Sequence, residues 1–316
     1  MKLASLRPTL PALLGTLLLA CGEGDALTRV ADQPTPEVVL DPDPDVTQPV
    51  PGVGVDDDPE VPVDRTPVTP PKADGPVRGV VTVSGHVGYG ASATAVFLPA
   101  AAVAPDVQSA IPFLQIPLDT CALQTAAADA GVVGVDVGAS VALGRRGRPG
   151  YSLSPDGTGA YYTGLDPNQY DPNTGRAVGA LDRNIGLDVA LPGSGTANER
   201  RFAEVIWVPS DPRLTLTPGP DGVVVMRAGQ PFSVTFEAGG SDEVLLTFYA
   251  VGRNSQLHCR IADDGEFTLT PEVLSQIAPN GSGFCLERYN IRDVHLGEES
   301  VIGVAGMIHS INFVIQ

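Results

Sequence analysis

Residues 229–240 read GQPFSVTFEAGG, and the alternation inside this stretch decides the fold class. Phe232, Val234 and Phe236 take every second position, with Ser233 and Thr235 between them. A helix repeats about every 3.6 residues and would scatter those side chains around its axis, whereas a strand puts all three on one face. Gly229 and Pro231 precede the run and Gly239-Gly240 follow it, so turns bound it on both sides. The pattern predicts an antiparallel strand with one apolar face and one wet face.

Runs of the same kind recur on either side. Before it come VRGVVTVSG (77–85), ATAVFL (93–98), SVALG (140–144), YSLS (151–154), IGLDVAL (185–191), EVIWV (204–208), LTLT (214–217) and VVVMR (223–227). After it come EVLLTFYAV (243–251), QLHCRI (256–261), GFCLERYN (283–290) and MIHSINFVI (307–315). Short strands at regular spacing with Gly, Asp, Asn and Pro between them predict an all-β protein built from two antiparallel β-sandwich domains, Ig-like or jelly-roll-like. We place the boundary near Ser210-Asp211-Pro212, giving a first domain over 76–210 and a second over 211–316. Trp207 lies at that junction, where core packing is the expectation and a platform for sugar the sharper alternative. One short helix is expected, with Thr270 as its cap, Pro271 at its first position, and Val273, Leu274 and Ile277 as its apolar stripe.

The N-terminus reads differently. Lys2 and Arg7 give a basic start, and the apolar segment 10–20 is too short to span the ~30 Å of hydrocarbon that takes about 20 helical residues. It fits a signal peptide over 1–20. Its exit, Leu18-Leu19-Ala20-Cys21, resembles the lipobox of bacterial lipoproteins. The resemblance implies that Cys21 becomes the first mature residue and carries acyl chains, and two or more chains anchor stably where one only dwells. Gly22, in place of Asp, implies sorting onward to the outer membrane in diderm members of that family. The membrane is therefore the first expected partner, through Cys21.

Residues 21–75 read as a tether. Positions 22–75 hold 11 Pro, 13 acidic residues and three basic ones (Arg29, Arg65, Lys72), with no aromatic residue. Such a segment buries too little apolar surface to offset the entropy of ordering it, and its Pro-x-Pro spacing favours extension, so a disordered spacer is expected. The formal net charge of −18 disfavours nucleic acid as a partner. Against that background GRRGRPG (144–150) gathers Arg145, Arg146 and Arg148. An exposed turn accounts for them, and a docking point for an envelope protein or an anionic surface polysaccharide is the sharper reading.

Three cysteines remain beyond the anchor. Cys259 and Cys285 sit in strand-like runs of one block and flank an Asp263-Asp264-Gly265 turn and the short helix, so we expect that bridge and a buried free thiol at Cys121. This block, with GQPFSVTFEAGG, EVLLTFYAV and LHCRIADDGEFTLTPEVLSQI in order, resembles modules of secreted bacterial lipoproteins, which implies a β-sandwich without an assigned activity.

No nucleophile elbow, zinc helix or phosphate loop is found. Gly85-His86-Val87-Gly88-Tyr89-Gly90 reads as a hairpin. His86, His258, His295 and His309 show no short metal-ligand spacing, and His258 is expected to face away from the Cys259 thiol. Asp166, Asn168, Asp171 and Asn173 offer calcium-type oxygens without the calcium-loop spacing. Asp263, Asp264 and Glu266 are expected to bind turn backbone, with glycoside chemistry as the alternative. No catalytic, cofactor or metal residue is assigned. The reading is a lipid-anchored, non-enzymatic binding, adhesive or envelope-structural protein; the alternative is an extracytoplasmic hydrolase whose acids converge only in the fold.

Overall fold

The computed structural model describes residues 70–87, 90–100, 107, 111–125, 134–145, 151–164, 181–192, 200–219, 222–249, 255–277 and 283–316. Cys21, expected to be the anchor, the part of the expected tether up to residue 69, the Asp166–Asn173 loop and Arg146 and Arg148 lie outside them.

The described residues are all-β. The strands are β1 (Val77–His86), β2 (Ala91–Pro99), β3 (Thr120–Thr125), β4 (Val141–Gly144), β5 (Tyr151–Pro155), β6 (Ala160–Gly164), β7 (Ile185–Leu191) and β8 (Arg200–Val208). They continue with β9 (Val223–Met226), β10 (Phe232–Thr235), β11 (Glu243–Tyr249), β12 (Ser255–Ile261), β13 (Glu266–Leu269), β14 (Gly283–Leu296) and β15 (Glu299–Ile315). One large sheet runs β3-β12-β11-β14-β15-β1-β2-β6-β5-β4-β7-β8, with β9 also paired to β15; β10 and β13 form a separate pair.

Two apolar cores follow from the alternation. In one, Val234 and Phe236 from the founding stretch meet Leu269, Val224 and Met226, facing Leu246, Phe248, Leu257, Phe284 and Phe313 of the large sheet. Phe248 stacks on Phe284 with centroids 5.2 Å apart and meets Phe313 edge-on at 5.8 Å. In the other, β1, β2 and β15 (Val81, Phe97, Val301, Met307) face β4, β7 and β8 (Leu143, Val189, Phe202, Val205). Gly303 is required there, because a Cβ would stand 2.1 Å from the Val205 carbonyl oxygen on the opposing β8. The large sheet thus closes on its own end to make that sandwich.

The core built on β1, β2, β4, β7 and β8 draws Val301, Ala305 and Met307 from beyond residue 210, and the large sheet is continuous across that point. β15 pairs with β14 along one edge, and its other edge is shared by β1 and then β9. The β14–β15 hairpin therefore runs through both cores. A third, smaller core lies on the outer face of this hairpin, where Ile111, Phe113 and Ile116 cover Val80, Leu245, Tyr289, Ile302 and Val304.

Local expectations that the structure reaches include the helix, α1 (Pro271–Leu274), with Thr270 accepting from the Val273 N–H and Leu274 and Ile277 buried. β1 and β2 pair antiparallel, and the His86 N–H donates to the Gly90 carbonyl at 3.1 Å, as the hairpin reading expects.

The disulfide is a correction. Cys121 bridges Cys259, and Cys285 is a buried free thiol, so the expected Cys259–Cys285 pair does not form. The reason is sheet geometry. β12 and β14 flank β11, so Cys259 and Cys285 are two strands apart; Cys259 pairs with Leu246 and Cys285 with Thr247, which puts the thiols on opposite faces. Cys121 and Cys259 are direct register partners on neighbouring strands, with Cα atoms 3.9 Å apart.

Candidate functional site

Three polar assemblies stand out, two buried and one at the surface. The first lies on the outer face of β11, β12 and β14. The register that pairs Thr247 with His258 brings the Thr247 hydroxyl within 3.1 Å of His258 Nδ1. The same hydroxyl bonds the Glu287 carboxyl, whose Oε2 also accepts from the Tyr289 hydroxyl. Tyr289 lies under Phe113, the two rings tilted with centroids 4.9 Å apart, and Arg260 holds that covering segment down. Its guanidinium donates to both Glu243 carboxylate oxygens at 2.7 Å and to the carbonyls of Leu114 and Ile116 at 3.2 Å.

Burial governs the chemistry of this group. It pushes the Glu287 carboxyl up to about 7, against the opposing bonds from Tyr289 and Thr247. It also pushes His258 down to about 4, so that imidazole is neutral at pH 7. His258 Nε2 and Glu287 Oε1 have no hydrogen-bond partner among the described residues. A carboxyl and an imidazole with displaced pKa values is the composition of an acid–base pair. Yet His258 is 0% and Glu287 2% exposed, so a substrate has no access to them. His258 does face away from the thiol of Cys259, which points into the aromatic core.

The second assembly is on the opposite face of β14. Arg288 Nη1 donates to Ser210 Oγ at 3.2 Å and the Asp211 carbonyl at 3.0 Å; Nη2 donates to Asp263 at 3.0 Å and to the Glu237 carbonyl. Gly239 makes the space, since a Cβ there would sit 2.1 Å from Nη1. Asp263 also accepts from the Gly239 and Ser241 N–H groups at 3.1 and 3.0 Å. Burial opposes its charge, but the Ser241 amide and Arg288 outweigh this and hold the carboxyl below the usual range. The Asp263 turn is thus structural, as its turn chemistry predicts, with Asp264 accepting from the Glu266 N–H.

At the surface, a shallow pocket of ≈ 100 Å³ opens on β4, β7 and β8, lined by Leu143, Gly144, Arg145, Asp188, Ala190 and Arg201. Arg201 is paired with Asp188 at 3.0 Å, and Arg145 stands at the pocket's edge where the arginine-rich loop begins. This is where the structure places the one described member of the Arg145-Arg146-Arg148 cluster. Trp207, half-buried, packs on Gly186 and carries the Arg292 guanidinium over its ring at 5.5 Å. Its own carbonyl accepts from Asn290, tying β8 to β14. Among the described residues no group of three or more His, Cys, Asp or Glu is placed to hold a metal ion, and no helix is long and apolar enough to cross a membrane.

His258 and Glu287 were missed as a pair by sequence reasoning. The signal available was an ionisable residue inside each of two apolar strand runs, QLHCRI and GFCLERYN.

No protein-family model and no curated protein matches the chain. Among solved structures, similarity is found to part of a 1.5-MDa bacterial ice-binding adhesin described for its retention on the host cell surface, at 11% identity, 77% of this chain, 66% of that chain and a TM-score of 0.19. A titin Ig tandem (A164-A165) matches at 9% identity over 77% of this chain and 95% of that one, and a marsupial T cell receptor at 9% over 78% and 73%, each with a TM-score of 0.17. At such TM-scores none of these superpositions bears on what the chain does.

Proposed function

We propose that this chain is an extracytoplasmic lipoprotein, anchored by acyl chains on Cys21, whose β-sandwich body serves a non-enzymatic binding, adhesive or envelope-structural role. The observation that carries the reading is the Cys121–Cys259 bridge, buried at the Cys259 end in the aromatic core. Such a bond persists outside the cytoplasm and is reduced within it. The Leu18-Leu19-Ala20-Cys21 exit and the acidic, Pro-rich spacer support the same compartment from the other end of the chain.

The outer membrane is the proposed location, on the strength of Gly22. For a binding role, the proposed contact is the Arg145 rim of the shallow pocket, and the ligand class an anionic envelope component such as an acidic polysaccharide. The hydrolase alternative has one observation in its favour, the Glu287–Thr247–His258 group, and its enclosure counts against it.

Palmitate labelling tests the anchor: wild type takes up label and Cys21→Ser does not. Label persisting in Cys21→Ser would overturn the assignment. Replacing Arg145, Arg146 and Arg148 by Ser is expected to reduce retention on isolated envelope, and unchanged retention would remove the arginine loop from the reading.

A further inference from the structure

β1 is the first described strand, and it does not lie at an edge. It pairs in parallel with β15 from Arg78↔Ser300 to His86↔Ile308, nine register pairs, and antiparallel with β2 from Val77↔Pro99 to Gly85↔Ala91, nine more. The chain enters β1 through an ordered lead-in, because Pro71 accepts from the Asp136 N–H at 2.8 Å and the Ala73 N–H donates to Asp136 at 3.0 Å. β15 runs past the end of β1 to Ile315, where Asn312–Ile315 pair with β9. The N-terminal entry and the C-terminal end therefore lie at opposite ends of one parallel ladder.

That placement sets how the body responds to tension. A pull on the entry to β1 against Gln316 slides β1 along its neighbours, so the ladder bonds on both sides resist together. A pull at the β14–β15 turn is different, since Glu299 sits beside the start of β1 and accepts from the Val77 N–H at 3.4 Å. Force applied there would part the ladder one pair after another.

The disulfide adds a limit. Cys121 and Cys259 are 138 residues apart in sequence, and the bridge keeps that whole loop from extending. At about 3.5 Å per extended residue, the withheld length is on the order of 480 Å.

We infer that the body is a mechanical mount: tension from the anchor is taken in shear by the central strand β1, and the Cys121–Cys259 bridge caps the extension if the sheet yields. This rests on the lipid-anchor reading, because an anchored N-terminus is what delivers tension to β1.

The test is single-molecule stretching of residues 21–316 carrying Cys21→Ser, held by peptide handles. One geometry grips the N-terminus and the C-terminus; the other grips the N-terminus and a handle inserted between Gly297 and Glu298. Forced unfolding reports the unfolding barrier, so the end-to-end geometry should need at least about twice the force of the turn geometry. In the end-to-end geometry, reductant should lengthen the release on full unfolding by roughly 480 Å. Equal forces in the two geometries, or a release indifferent to reductant, would overturn the mount and leave the anchor reading untouched. Failure of Cys21 to take up palmitate would overturn the anchor reading, and with it the source of the tension, while leaving the force asymmetry as measured.

Discussion

Glu287 and Arg288 are neighbours on β14, each only 2% exposed, and they point to opposite faces of the sheet. On one face the Arg288 guanidinium meets Asp263, two backbone carbonyls and a serine hydroxyl through its two Nη atoms, while its Nε has no partner among the described residues. On the other face Glu287 meets the hydroxyls of Tyr289 and Thr247, and burial raises its carboxyl to about 7. The same depth of burial thus has opposite consequences. A buried ion is tolerated where it closes a network; elsewhere the group gives up its charge.

Breaking the Arg288 side should cost most. Arg288→Met takes the ion-pair partner from Asp263 and the Arg288 bonds from the Asp211 and Glu237 carbonyls, and a loss of about 3–5 kcal/mol in urea unfolding is expected. A loss below about 1 kcal/mol would mean that water replaces the guanidinium and that the two faces do not differ.

The Glu287 side is read by pH. The raised Glu287 pKa gives stability that is complete below about pH 4.5 and is lost as pH rises through about 7. The lowered His258 pKa gives stability that is complete above about pH 6.5 and is lost as pH falls through about 4. Between these limits the two slopes oppose each other in the wild type. Glu287→Gln removes one, so its stability should rise with pH between 4 and 6.5. Measured from pH 4 to pH 8, it should gain on the wild type by about 3 kcal/mol. Identical pH profiles for the two proteins would show that Glu287 titrates as an exposed carboxyl does.

Two smaller changes sharpen the contrast. Gly239→Ala puts a methyl where Arg288 Nη1 lies, so it should destabilise by about 1–3 kcal/mol, with little further loss when combined with Arg288→Met. Thr247→Val keeps the shape but leaves His258 Nδ1 without its hydroxyl, for a loss of about 1 kcal/mol in thermal unfolding. If the Thr247 change costs more than the Gly239 change, the hydroxyl network contributes more than its open valences indicate.

Much of the fold was legible because its determinants are local. Phe232, Val234 and Phe236 alternate in sequence and pack accordingly, and Thr270-Pro271 starts a helix that buries Leu274 and Ile277. The Asp263 turn was legible as backbone chemistry, while its Arg288 partner was not, since 25 residues separate them. The disulfide needed knowledge that β3, from the first block, would cross to pair with β12 in the second. Block boundaries drawn from composition also could not show that β1 and β15 would be neighbours across most of the chain. His258 and Glu287 stayed hidden for a related reason: each looks like a polar position in an alternating strand until the segment carrying Ile111 and Phe113 covers that face.

The most direct measurement is the mass of the N-terminal peptide of the protein purified from whole cells. The account predicts that the peptide begins at Cys21 and carries a diacylglyceryl group with a further acyl chain. A peptide beginning at Met1, or any peptide in which Cys21 is a free thiol, would contradict it.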